Sequence, residues 1–144
     1  MGKMAAALER ERRTVYHLLH RAVETLGEAP ALHQPDGKGG YRSYTWVDYL
    51  RIVEEVAAGL RSLGVNRGEI VGLASETRAE FYLADVGVMA AGATAAAVYT
   101  SLAPTDQVRT LQACEPRAVF LENPKMLAAL EAAGLSALDA TRIL

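Results

Sequence analysis

The sequence predicts an α/β domain in which a mostly parallel sheet, flanked by helices, follows a helix and a β-hairpin. Two patterns support this fold class. Apolar residues recur at helical spacing over residues 14–26 and 45–63, and from residue 69 onward short apolar runs alternate with helix-length segments. Repeated strand–helix–strand order implies βαβ units, and hence parallel strands joined by right-handed crossovers.

The first helix is predicted over residues 14–26, with Thr14 as its cap and Gly27 just past its end. Six apolar side chains fall on one face of this helix: Val15, Leu18, Leu19, Ala22, Val23 and Leu26. Two short runs, residues 31–34 and 41–44, then flank the segment PDGKGG at residues 35–40. Such a cluster between two apolar runs predicts a β-hairpin.

The second helix has the clearest start and stop signals. Thr45 and Asp48 form a capping-box pattern, and Gly64 stands where a helix commonly ends. Between them an apolar stripe runs along one face of the helix: Trp46, Tyr49, Leu50, Val53, Val56, Ala57, Leu60 and Leu63.

The remainder of the chain alternates between strands and helices. Pro104 and the pair Asn123 and Pro124 stand at helix starts, while Gly134 stands at a helix end. Strands are predicted at residues 69–74, 94–99, 118–121 and 142–144, and helices at residues 79–91, 105–114 and 125–133.

Composition limits the function classes. Fifteen basic residues against 17 acidic ones argue against a nucleic-acid binder. No apolar run reaches the ~20 residues of a membrane span, and no signal peptide is recognisable. Cys114, as the single cysteine, permits neither an internal disulfide nor a cysteine zinc site. We therefore expect a cytoplasmic protein without a transmembrane segment, and peripheral membrane association stays open.

Residues 14–144 are interpreted as a partial N-terminal subdomain, and residues 1–13 as a tail. The sequence ends inside an apolar run, where a half-strand would leave backbone groups unpaired. We therefore expect an incomplete part of a larger domain. Exposed sheet edges and apolar surface predict a homo-oligomer or self-association of the chain.

Several motifs have simpler structural explanations than a site. The DGKGG segment lacks the spacing of a phosphate loop, and we interpret it as a hairpin turn. His17 and His20 have no third metal ligand nearby. Asp85 lies in a nearly all-apolar helix, so we expect it to make a structural hydrogen bond. Cys114 lies at a helix C-terminus, which disfavours a thiolate, so we assign it to packing.

An ordered series of segments over residues 41–123 resembles the N-terminal region of the adenylate-forming superfamily. The segments are YTWVDYL at residues 44–50, AAGLRSLGV at residues 57–65, GEIV at residues 68–71 and GA at residues 92–93. The segments VYTS at residues 98–101, PTDQV at residues 104–108 and VFLEN at residues 119–123 are similar to the long-chain fatty acyl-CoA synthetases. Glu69 and Ala103 replace the Asp and Ser that are usual in the family.

The resemblance implies a full-length parent enzyme that uses ATP, Mg²⁺ and CoA to activate a fatty acid and form its thioester. The family's phosphate loop, its ribose-binding Asp and its C-terminal catalytic Lys have no counterpart in these 144 residues. No catalytic residue can therefore be carried over to this chain, and we expect the chain alone to be inactive with no cofactor bound.

The turn at Tyr99, Thr100 and Ser101 is the candidate substrate-binding site, because it follows the carboxyl end of a predicted parallel strand. Two alternatives stay open. One is a fragment of another adenylate-forming enzyme, such as an aryl or short-chain acid ligase or an amino-acid adenylation domain. The other is a stand-alone, non-catalytic binding or dimerisation module.

Overall fold

The computed structural model of the protein describes residues 14–144, and the predicted tail at residues 1–13 lies outside them. The chain divides into two compact units, one up to Arg51 and one from Ile52 to Leu144. In chain order the elements are α1 (Val15–Leu26), β1 (Pro30–Pro35), β2 (Tyr41–Thr45), α2 (Trp46–Ser62), β3 (Ile70–Ala74), α3 (Ala79–Ala90), β4 (Thr94–Ala97), α4 (Pro104–Cys114), β5 (Ala118–Leu121), α5 (Pro124–Ala132), a 3-10 turn (Leu135–Ala137) and β6 (Thr141–Ile143).

Helix α1 begins and ends as its sequence predicts. The Thr14 side chain accepts a hydrogen bond from the backbone N–H of His17 at 3.3 Å, and Gly27 follows the last turn with φ of 51°. Of the predicted apolar stripe, however, only Leu19 is buried, while Val15, Leu18 and Leu26 are about half exposed. The amphipathic pattern is thus real, but much of the apolar face of α1 lies on the surface.

The predicted hairpin is confirmed, with β1 and β2 pairing antiparallel. Asp36 organises its turn by accepting hydrogen bonds from the N–H groups of Lys38 at 2.8 Å and Gly40 at 2.9 Å. These bonds lower the pKa of Asp36, because they favour the ionised carboxylate. Gly37 and Gly39 adopt positive φ values of 71° and 91°. The glycines therefore serve the turn, as the DGKGG segment between two apolar runs predicted.

Helix α2 has the reciprocal cap that its sequence predicts. The Asp48 carboxylate accepts from both the N–H and the hydroxyl of Thr45, and the Thr45 hydroxyl accepts from the N–H of Asp48 at 3.0 Å. The stripe is buried most deeply in its middle, at Tyr49, Val53, Ala57 and Leu60. Its two ends differ from this pattern, since Trp46 is half-buried and Leu63 is 46% exposed.

The second unit is built on a four-stranded parallel sheet in the order β4-β3-β5-β6. Strand β3 is central and pairs with β4 on one side and β5 on the other. This arrangement confirms the predicted α/β class and the βαβ order. The predicted fourth strand, at residues 142–144, forms as β6 at Thr141–Ile143.

Helices cover both faces of this sheet. Alternate strand residues point to opposite sides, so each face presents its own apolar side chains to a helix layer. On one face Val71 and Leu73 of β3 belong to an apolar cluster shared with α2 and α3. On the other face Ala74 of β3 and Val119 of β5 belong to a cluster shared with α4 and α5. Gly72 lies on that second face, where a Cβ atom would stand 2.7 Å from Leu111 Cδ2. Glycine at this position therefore allows α4 to pack closely against β3.

Strand β4 is shorter than the predicted strand at residues 94–99. Val98 still donates its N–H to the carbonyl of Leu73 at 3.0 Å, but the chain then leaves the sheet and exposes Tyr99. The segment at residues 99–101 is therefore a turn beyond the strand end. Within residues 14–144, no helix has the length and apolar character needed to cross a bilayer.

Candidate functional site

The predicted turn lies at the carboxyl end of β4. Tyr99 is 80% exposed and Ser101 is also exposed, whereas Thr100 is half-buried. The Thr100 hydroxyl donates a hydrogen bond to Oε1 of Glu76 at 2.6 Å. Because Glu76 follows the carboxyl end of β3, this bond joins the ends of two neighbouring parallel strands. Contact of these three residues with a substrate stays a prediction.

Glu122 is the central acceptor at this edge of the sheet and follows the carboxyl end of β5. Its carboxylate accepts from the N–H of Glu76 at 2.7 Å, from the Ser75 hydroxyl at 3.3 Å and from Arg78 Nη1 at 3.4 Å. The side chain of Asn123 contributes a fourth contact at 3.4 Å and also caps α5. With its side chain only 15% exposed, Glu122 fixes the loop at residues 75–78 to the end of β5.

Arg78 balances part of the negative charge of this network. Its Nε donates to Glu80 at 2.7 Å, and Nη1 faces Glu122 at 3.4 Å. The hydrogen bond to Glu80 raises the pKa of Arg78, so the guanidinium stays charged. Two carboxylates, of Glu80 and Glu122, therefore share one guanidinium, while the Glu76 carboxylate accepts from Thr100 instead. The carboxyl edge formed by these residues carries net negative charge.

A cavity of about 380 Å³ opens beside this network. Its walls are mainly apolar and include Phe81, Phe120 and Leu144, while Arg78 and Glu122 stand at its polar side. Such a lining suits an apolar group. The guanidinium of Arg78 is already paired with Glu80 and Glu122, which also line the cavity, so the polar side carries net negative charge. The cavity is therefore better suited to hydrocarbon or to an apolar side chain than to an acid group.

The described residues do not fit the phosphate groups or the metal of a nucleotide. Within residues 14–144 no three His, Cys, Asp or Glu side chains are arranged to hold a metal ion. The one glycine-rich segment resembling a phosphate loop closes a hairpin around Asp36, as described above. We therefore derive no catalytic step from these residues.

The remaining sequence candidates take structural positions. His17 contacts the Thr14 hydroxyl through Nδ1 at 2.9 Å, and the ring of His20 packs edge-on against Tyr16 with ring centroids 4.6 Å apart. Neither histidine belongs to a metal site among the described residues. Cys114 is half-buried at the end of α4, in agreement with a packing role.

The expectation of a structural hydrogen bond at Asp85 is wrong. Asp85 has no hydrogen-bond or ion-pair partner in the part of the chain that the structure describes, and burial raises its pKa above the ordinary value of 3.8. The carboxylate is half-buried on α3, so solvent still reaches it. The nearly all-apolar sequence of this helix could not show this, because it does not indicate how much of a side chain the neighbouring elements cover.

Sequence reasoning also missed Glu76, Arg78 and Glu122 as members of one network. A usable signal was present, since Glu122 directly follows one predicted strand and Glu76 stands two positions beyond the end of another. The carboxyl ends of parallel strands lie at one edge of a sheet, and ligands of open α/β sheets bind there.

The open parallel sheet, flanked by helices, defines an open-sheet α/β protein, a class whose ligands bind at the carboxyl edge of the strands. Comparison with known proteins identifies the family. Residues 19–143 match the AMP-binding enzyme family, and the chain belongs to that family.

Two curated relatives and one solved structure illustrate the similarity. The chain is 47% identical over 81 residues to the uncharacterized protein Rv1549 of Mycobacterium tuberculosis, covering 56% of this chain and 44% of that protein. It is 29% identical over 114 residues to the long-chain-fatty-acid–CoA ligase ACSBG2 of Xenopus laevis, covering 79% of this chain and 15% of the ligase. The anthranilate CoA ligase AuaEII, solved with anthranoyl-AMP, superimposes with a TM-score of 0.79 at 26% identity, covering 91% of this chain and 25% of that one.

These matches confirm the sequence resemblance to adenylate-forming acyl-CoA synthetases and the predicted fold class. The chain spans less than half the length of either curated relative. The activity of a whole protein is therefore a matter of proposal for this chain.

Proposed function

We propose that this chain forms part of an enzyme that activates a fatty acid by adenylation and then transfers the acyl group to CoA. In the first step a carboxylate oxygen attacks the α-phosphorus of ATP and pyrophosphate leaves. In the second step the CoA thiol attacks the acyl carbon and AMP leaves. The observation that carries the proposal is the family match over residues 19–143, together with the similarity to a ligase named for long-chain fatty acids.

Within such an enzyme the chain supplies a sheet, its packing helices and one wall of the substrate site. Tyr99, Thr100 and Ser101 form that wall, at the carboxyl end of β4. The bond from Thr100 to Glu76 supports this role, because it fixes the turn at the edge where open α/β sheets bind ligands. In this proposal ATP, Mg²⁺ and CoA are bound by other parts of the enzyme, and the enzyme acts in the cytoplasm.

A second candidate is an aryl acid ligase of the same family. The similarity to an anthranilate CoA ligase at 26% identity over 91% of this chain favours it. Both candidates require adenylation, so the identity of the acid distinguishes them. A third candidate function is that of a non-catalytic module that self-associates through its open sheet edges, and it predicts no adenylation.

ATP–pyrophosphate exchange tests these alternatives. The assay uses the 144-residue chain and, in parallel, the protein translated from its gene with whatever coding sequence follows Leu144. Palmitate, benzoate, anthranilate and glycine serve as acids. We expect exchange with palmitate in a longer product and none in the 144-residue chain. Exchange with the aryl acids alone would select the second candidate, and a stop codon directly after Leu144 would favour the non-catalytic module.

Two matched variants test the substrate wall in an active longer product. Thr100→Val removes the hydroxyl that bonds to Glu76, and we expect the KM for the fatty acid to rise about fivefold. Thr105→Val makes the same change at an exposed position in the first turn of α4 and serves as the control. Equal KM values for the two variants would remove Thr100 from the proposed site.

A further inference from the structure

Gln107 is the polar side chain that the fold buries most completely within residues 14–144. It lies in the first turns of α4 and is only 5% exposed. Glutamine is an uncommon choice for such a position, because each polar atom removed from water needs a hydrogen-bond partner. A glutamine at this buried position therefore calls for an explanation in terms of the hydrogen bonds that it makes.

The amide nitrogen of Gln107 binds two carbonyl groups of the turn that follows β4. Nε2 donates to the carbonyl of Thr100 at 3.2 Å and to that of Leu102 at 2.9 Å. A primary amide carries two N–H groups, so this pair of bonds uses both of them. The turn has one backbone bond of its own, from the N–H of Leu102 to the carbonyl of Tyr99 at 3.2 Å. Gln107 thus supplies two of the hydrogen bonds that hold the turn.

The amide oxygen of Gln107 has no hydrogen-bond partner among the described residues, although it is fully buried. Rotating the amide by half a turn would not help, because the oxygen would then face the carbonyl oxygens of Thr100 and Leu102. An unpaired buried acceptor lowers stability, whereas an apolar side chain of similar shape would avoid that loss. The residue is thus poorly chosen for stability and well chosen for holding the turn.

We propose that Gln107 is a positioning residue, which sets the conformation of the turn at residues 99–102 and thereby directs the Thr100 hydroxyl to Glu76. The path runs from α4 through the Thr100 backbone to a side-chain bond of 2.6 Å at the end of β3. Its importance for substrate binding rests on the proposed function, whereas its effect on the turn does not.

Hydrogen exchange of the 144-residue chain tests the effect on the turn. Gln107→Met keeps a similar volume but removes both donors and the unpaired acceptor. We expect the Leu102 amide to exchange at least about tenfold faster, while the urea midpoint stays the same or rises. Gln112→Met, at an exposed glutamine on the same helix, is the control and should change neither quantity.

The possible outcomes separate cleanly. Unchanged exchange at Leu102 in Gln107→Met would overturn the proposal, and so would a uniform increase across α4 and β5 with a lower urea midpoint, since that describes an ordinary core residue. In a longer product active in ATP–pyrophosphate exchange, we expect Gln107→Met to raise the KM for the acid about tenfold with kcat changed less than about twofold. Faster hydrogen exchange at Leu102 with an unchanged KM would overturn only the role in substrate binding. Absence of ATP–pyrophosphate exchange in every longer product would count against the proposed function, and the hydrogen-exchange result for the turn would still stand.

Discussion

Gly87 lies where α3 passes against α2, at a distance that leaves no room for a side chain. A Cβ atom built at Gly87 would stand 2.6 Å from the Cβ of Val56. Carbon atoms in contact normally lie about 3.5–4.0 Å apart, so Gly87→Ala requires the helices to separate by about 1 Å. The Val56 Cβ is attached to the backbone of α2, so no side-chain rotation can relieve the contact.

The expected loss of stability follows from two opposing terms. Overpacking of this kind costs up to about 3 kcal/mol in the free energy of unfolding. Replacing glycine by alanine within a helix returns about 1 kcal/mol. We therefore expect Gly87→Ala to destabilise the protein by about 2 kcal/mol.

Gly59→Ala on α2 is the matched control, because a Cβ at Gly59 would meet nothing within 4 Å. This change keeps only the helix-propensity term and should stabilise the protein by about 0.5–1 kcal/mol. Urea unfolding followed by far-UV circular dichroism measures both variants. If Gly87→Ala were as stable as Gly59→Ala, with an unchanged m-value, the proposed close packing of α2 and α3 would be wrong.

Two further predictions concern the charged groups. Glu122→Ala should lower the free energy of unfolding by about 2 kcal/mol, because it leaves the N–H of Glu76 without its acceptor, while the lost contact with the partly exposed Arg78 adds little. The control Asp139→Ala, at an exposed carboxylate, should change the free energy of unfolding by less than about 0.5 kcal/mol. Equal urea midpoints for the two variants would refute the central position of Glu122. Asp85→Asn should raise the free energy of unfolding at about pH 7, relative to the unchanged protein, and lose this gain towards about pH 4. Burial raises the Asp85 pKa in the folded state, so the ionised carboxylate opposes folding at higher pH. Urea unfolding at several pH values measures the gain, and a gain that grew on acidification would contradict this assignment.

The local features of the fold were predictable because they depend on neighbouring residues. Thr45 and Asp48 cap α2, Asn123 caps α5, and Gly27 ends α1, all as expected from spacing of three or four positions. The order of the strands was not predicted, because apolar runs identify strands but not their partners. The exposure of α1 was also missed, since periodicity identifies an apolar face without showing what covers it.

Only part of the candidate site was accessible from sequence. The turn at residues 99–101 was found through the general rule for strand ends, although its contact partner was not. Glu76 and Glu122 are 46 positions apart, and only the parallel pairing of β3 with β5 brings them together. The same limit applies to Gly87 and Val56, whose close approach depends on how two helices pack.

The order of the strands in the sheet also bears on how the protein is made. Strand β3, the centre of the sheet, leaves the ribosome before its partners, and β4 and β5 then add to its two sides. β6 adds beside β5, so no strand has to be inserted between two that are already paired. Synthesis from the N-terminus can therefore extend the sheet outward one strand at a time, which limits the time that each newly made strand spends without a partner.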